Sequence, residues 1–160
     1  MPGSESSESP ERLKVLFEDG RLVVIDKPPG RLTIPGRTPE PLPCLQEQLQ
    51  QERGGERLWV VHRLDRGTSG CLAFARNAEA HRTLSMAFEA QQVHKRYLAL
   101  VRGQLQPDVG SFTQALSPGR KGGMRLARPG EAGKPAETRF RVLERFQGPL
   151  GSPGYCWVEC

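Results

Sequence analysis

Leu58-Trp59-Val60-Val61-His62-Arg63-Leu64-Asp65-Arg66-Gly67-Thr68-Ser69-Gly70-Cys71-Leu72-Ala73-Phe74-Ala75 reads as a strand, a tight polar loop and a second strand. The apolar runs are too short for a typical core helix, and the charged, glycine-containing stretch between them turns the chain. The loop sets one carboxylate, Asp65, between the guanidinium groups of Arg63 and Arg66 in sequence. Two neighbouring cations suit an ionised carboxylate, so Asp65 reads as a charged acceptor or a nucleophile and not as a proton donor. A turn aspartate bonding to its own backbone leaves the same local signature, and spacing alone does not separate the two readings.

The chemistry available to such a group is narrow. A carboxylate can attack an electron-poor sugar carbon and form a covalent intermediate, as in retaining glycosidases. Those enzymes need a second acid for the leaving group, and none stands near Asp65 in sequence. One carboxylate among cations suits a substrate that carries phosphates.

Working outward, strands are predicted at 13–17, 21–26, 58–62, 70–76, 93–102, 109–115, 136–146 and 155–160. Leu42, Leu45 and Leu49 have helical spacing within 42–52. A second helix is predicted over 77–90, with Leu84, Ala87 and Phe88 on a core face and Asn77 or the following turn as its cap. Residues 27–41 hold five prolines and two glycines, so an ordered loop or flap is expected there. Residues 117–135 read as a long basic excursion. Strands and helices do not alternate regularly, which disfavours a doubly wound sheet. Gly119-Arg120-Lys121-Gly122-Gly123 lacks the spacing of a phosphate loop.

At 160 residues the chain is one domain's length, enough to bury a core. Its net charge is +5, and the Ser/Glu-rich tail 1–12 is expected to be disordered. Residues 95–145 hold eleven Lys or Arg against four acids, the natural electrostatic footprint for a polyanion. The four cysteines, Cys44, Cys71, Cys156 and Cys160, complete no zinc arrangement. Cys71 lies in an apolar run and is expected to be a small core residue. With no signal peptide, long apolar stretch or cysteine framework, the reading is a reducing cytoplasm and no membrane.

His62-Arg63-Leu64-Asp65 followed by Thr68-Ser69-Gly70 resembles the signature of the RluA-type RNA pseudouridine synthases. The resemblance extends from 13 to 160. Leu22-Val23-Val24-Ile25-Asp26-Lys27-Pro28-Pro29-Gly30 resembles that family's second strand and its Lys-Pro turn. Lys95-Arg96-Tyr97-Leu98-Ala99-Leu100-Val101 resembles its second motif, and Gly133-Lys134-Pro135-Ala136-Glu137-Thr138 a later segment. The fold implied is α+β, a mixed, mainly antiparallel sheet with flanking helices. The domain implied is 13–160, incomplete at its C-terminus, because the family's third motif would follow the strand that Tyr155–Cys160 resembles.

The activity implied is isomerisation of specific uridines to pseudouridine in structured ribosomal or transfer RNA. The bond from base nitrogen to ribose C1′ breaks, the uracil turns, and it rejoins through carbon, with the nucleotide flipped into a pocket. No metal and no organic cofactor is implied, RNA is the partner, and relatives are often monomeric. Asp65 is implied as the catalytic carboxylate, Arg63 as a phosphate contact, and Tyr97 as the aromatic stacked on the flipped uracil. His62, Thr68, Ser69 and Gly70 are expected to support the loop, and Lys27 with its prolines to form a plain turn. On residue pattern alone Tyr97 reads first as a core position in a half-buried strand, and only the resemblance reverses that. Two other readings stay open: a non-catalytic RNA-binding module that keeps the cleft, and a carbohydrate-active enzyme using Asp65 as nucleophile.

Overall fold

A computed structural model describes residues 11–36, 42–119 and 123–160. Most of the tail 1–12, the end of the Pro-rich loop at 37–41 and residues 120–122 of the basic stretch lie outside the described residues. The chain forms two compact units, one ending at His94 and the other Lys95–Cys160.

The first unit is a four-stranded antiparallel sheet with two helices. Its strands are β1 (Val15–Glu18), β2 (Leu22–Lys27), β3 (Trp59–Val60) and β4 (Gly70–Ala75), in the order β1-β2-β4-β3. Helix α1 (Leu45–Glu52) follows the Pro-rich loop, and α2 (Ala78–Glu89) follows β4. Val23, Ile25, Leu72 and Phe74 point from the central strands into one core with Leu13, Leu58 and Leu64. Helix α1 closes that core with Leu45 and Leu49, and Val60 packs at its edge. Strand periodicity of two sets the inward face, and Leu45 and Leu49, one helical turn apart, share one face of α1.

The Asn77 side chain accepts from the Ala80 N–H at 2.8 Å and so caps α2. Only Ala80 of this helix is buried, while Leu84, Ala87 and Phe88 are half-buried. The helix therefore lies along the margin of the core. Cys71 corrects the expectation of a core cysteine, since it is exposed. The pleat decides this: Leu72 and Phe74 take the inward positions of β4, so Cys71 and Ala73 face the other side. The buried cysteine of this unit is Cys44, before α1.

The second unit is an antiparallel sheet in the order β5-β10-β9-β6, with β5 (Leu98–Arg102), β6 (Val109–Phe112), β9 (Thr138–Phe146) and β10 (Tyr155–Glu159). Phe140, Cys156 and Val158 are buried on one face. Gly110 meets the Phe140 ring so closely that an added Cβ would sit 2.9 Å from it. The opposite face leaves Leu98, Leu100 and Tyr155 exposed. The predicted strand 93–102 begins only at Leu98, and 109–115 ends at Phe112.

The basic stretch 117–135 holds structure that composition concealed. Leu116–Pro118 (β7) pairs antiparallel with Met124–Leu126 (β8), and Leu116 also bridges to Lys134. Short Gly- and Arg-rich strands carry too little apolar alternation to announce themselves. Across both units the fold is mixed α+β and its sheets are antiparallel, as the sequence implied.

Candidate active site

Register places the Asp65 loop. Lys27 at the end of β2 lies opposite Gly70 at the start of β4, so the segments 28–33 and 61–69 leave the sheet at the same end. Along the loop, Arg63 and Asp65 are exposed while Leu64 between them is buried in the core. That single apolar anchor holds the loop down and turns its neighbours outward. The Thr68 N–H then donates to the Asp65 carbonyl at 3.0 Å, closing a four-residue turn. The chain re-enters β4 through Gly70, whose φ of 119° lies where side-chain-bearing residues are strained.

The segment 27–33 grips this loop through its backbone. Lys27 is 0% exposed, and its ammonium donates to the carbonyls of Pro28 at 3.0 Å, Arg66 at 3.2 Å and Thr68 at 2.8 Å. Gly30 and Arg66 pair reciprocally: the Gly30 N–H donates to the Arg66 carbonyl at 2.7 Å, and Arg66 Nε donates to the Gly30 carbonyl at 3.0 Å. The buried Thr33 hydroxyl donates to the Leu64 carbonyl at 3.2 Å. Carbonyls on both sides of Asp65 are therefore fastened, while its own carboxylate accepts no hydrogen bond and forms no ion pair among the described residues. The scaffold is tied in turn to α1, since the Leu45 and Gln46 N–H groups donate to the Leu32 and Thr33 carbonyls.

Lys27 was read from sequence as part of a plain turn, and the structure corrects that. A strand-end lysine with every N–H satisfied is a fixed internal post. Burial pushes its pKa down, the positive charge of Arg31 adds to that, and the negative charge of Asp65 opposes it. The signal was present in β2, where Val23, Ile25 and Lys27 occupy alternating inward positions. A charged residue at an inward position is a request for partners.

Neither Arg63 nor Arg66 forms an ion pair with Asp65. Arg66 turns its Nε to the Gly30 carbonyl and acts as part of the scaffold. Arg63 is exposed and has no ion-pair partner among the described residues. A carboxylate and a guanidinium two positions apart thus both face solvent from a rigid loop. The first can act as a nucleophile or base, and the second can bind a phosphate.

His62 enters the loop with its ring stacked on Phe88, centroids 4.7 Å apart, and its Nε2 accepts from the Ala73 N–H at 3.0 Å. Tyr97 belongs to the second unit. It is 38% exposed, and its backbone bonds Cys160 in both directions, at 2.6 and 2.9 Å, extending the pairing of β5 with β10. Thr68 is half-buried and Ser69 is exposed. Among the described residues no group of three His, Cys, Asp or Glu is placed to hold a metal ion. Among the described residues no helix is long and apolar enough to cross a membrane.

The family model described as RNA pseudouridylate synthase matches residues 21–160. The chain belongs to the RNA pseudouridylate synthase family. It is 35% identical over 132 residues to the dual-specificity RNA pseudouridine synthase RluA of Vibrio vulnificus, covering 82% of this chain and 52% of that protein. It is 37% identical over 134 residues to the ribosomal large subunit pseudouridine synthase C of Haemophilus influenzae, covering 83% and 41%. The solved structure of human RNA pseudouridylate synthase domain containing 1 superposes with a TM-score of 0.74 at 25% identity, over 99% of this chain and 60% of that one. The chain thus spans about half, or less, of the curated relatives it matches. Those relatives are named as synthases of pseudouridine in RNA, which makes them isomerases.

Proposed function

We propose that this chain carries the catalytic carboxylate of an enzyme that isomerises uridine to pseudouridine within RNA, and that Asp65 is that carboxylate. One observation supports this above all others. Asp65 is exposed and without a hydrogen-bond or ion-pair partner among the described residues, on a loop whose backbone is fastened on both sides. A turn aspartate would spend its side chain on local N–H groups, as Asp19 does with Arg21 and Leu22.

Asp65 acts at ribose C1′, where the bond to the uracil nitrogen breaks. The base turns and bonds through its carbon, which gives up a proton while the freed nitrogen gains one. Atoms balance without an external reagent. Arg63 contacts a phosphate of the flipped nucleotide, and Tyr97 stacks on the uracil. The target is a uridine in ribosomal or transfer RNA; the Haemophilus influenzae relative is named for the ribosomal large subunit. RNA is the partner, the protein works as a monomer without a metal or organic cofactor, and it acts in the cytoplasm.

The test is a map of pseudouridine in total RNA from cells lacking the gene, complemented with the wild-type protein or with Asp65→Ala. The wild type restores at least one site and Asp65→Ala restores none. RNA binding by both proteins with no pseudouridine from either would instead make this a binding module.

A further inference from the structure

We propose that His62 is a positioning residue for Asp65, held as the neutral imidazole with its proton on Nδ1. The assignment follows from one donor. The Ala73 N–H points at His62 Nε2 from 3.0 Å, and a backbone N–H can only donate, so Nε2 presents its lone pair.

The bond sits where a strand runs out. Ala75 of β4 pairs with Trp59 of β3, and Ala73, two residues away, directs its N–H to the same edge. β3 ends at Val60, so no β3 residue is there to pair with Ala73. The side chain of His62 takes the place of the missing strand. Its ring meanwhile lies on Phe88 of α2, with an interplanar angle of 17°. One side chain thus joins β4 and α2 to the start of the loop, three residues before Asp65. Lys27, Gly30 and Thr33 hold the remainder through the carbonyls of Leu64, Arg66 and Thr68. Asp65 is suspended between these two supports. Catalysis gains from such fixing because small displacements of a reacting group cost large factors in rate.

The inference deepens the proposed role of Asp65 and rests on it only for the effect on turnover. Its placement is tested without RNA. Side-chain nitrogen shifts of the isotope-labelled chain at neutral pH should show His62 Nε2 unprotonated and Nδ1 protonated. Hydrogen exchange at the Ala73 amide should be about fivefold faster in His62→Ala, the cost of one ordinary hydrogen bond. His62→Gln, whose amide oxygen can accept the same bond, should recover most of the protection. A proton on Nε2 in the wild type overturns the proposal, whether or not any variant folds. Unchanged Ala73 exchange in a folded His62→Ala overturns it too.

Turnover supplies the second arm. In protein that forms pseudouridine, His62→Ala lowers kcat by up to about a hundredfold at unchanged RNA affinity, and His62→Gln restores most of it. Equal kcat in all three proteins contradicts positioning. A wild type that forms no pseudouridine counts against the reading of Asp65, and the nitrogen shifts still decide that of His62.

Discussion

At Lys27 three donors, three carbonyls and complete burial meet in one side chain, and the loop bearing Asp65 hangs from it. Lys27→Met removes the donors and leaves buried acceptors short of partners, a loss of about 2 kcal/mol. A denaturant titration should show that loss, and proteolysis should show faster cleavage within 62–70. Asp65 is the opposite case. Asp65→Ala removes no hydrogen bond or ion pair among the described residues, only the distant attraction between its charge and Lys27, and should melt close to the wild type while losing all turnover. Gly70→Ala faces open space but keeps a φ of 119°, so backbone strain of about 1–2 kcal/mol should appear in its melting temperature. The strand–loop–strand setting of Asp65 could be read from sequence because loop charge and strand alternation are local properties. The role of Lys27 could not, because its partners Arg66 and Thr68 lie about forty residues on and offer only backbone, which no side-chain pattern reports.

Among the elements, helix α2 depends on its cap, since a single one of its side chains is buried. Asn77→Ala should cost about 1 kcal/mol and fray the first turn, visible as lost amide protection at Ala80. The β7–β8 hairpin depends on Glu131. Two hydrogen bonds from Arg125 and one from the Arg128 N–H hold that carboxyl down to about 2. A carboxyl lowered in the folded state stabilises above its unfolded value and loses the contribution as pH falls through the folded one. The hairpin should therefore loosen between about pH 4.5 and pH 2, followed by the amide shifts of Met124–Leu126, and Glu131→Gln should loosen it already at neutral pH. The long apolar strands and the capped helix were legible because burial imposes a period on them. The hairpin was not, because its order comes from one ion pair and backbone pairing within a Gly- and Arg-rich stretch. Cys71 was misplaced for a similar reason: an apolar run names the strand but not which alternate residues face inward.

For the molecule as a whole, the basic second unit is less free than its composition suggests. Arg96, Arg125, Arg139 and Arg145 are each engaged by a carboxylate. Lys95, Arg102, Arg128, Lys134 and Arg141 are exposed without an ion-pair partner among the described residues. Replacing one of these five with Ser should reduce the salt dependence of binding to single-stranded RNA by about 0.7 in log–log slope, if it meets a phosphate. Replacing Arg125 should change that slope less and the hairpin more. Fold class followed from the family resemblance, with the irregular order of strands and helices arguing only against a doubly wound sheet, and the division at His94 did not follow, because no linker composition marks it. As proposed, Asp65 performs the chemistry and Arg63 meets a phosphate, while the remaining residues of the loop hold both in place. Site-resolved pseudouridine mapping of total RNA from cells lacking the gene, complemented with wild-type or Asp65→Ala protein, tests it most directly. A site absent without the gene should return with the wild type and stay absent with Asp65→Ala. Restoration of that site by Asp65→Ala would contradict the proposal.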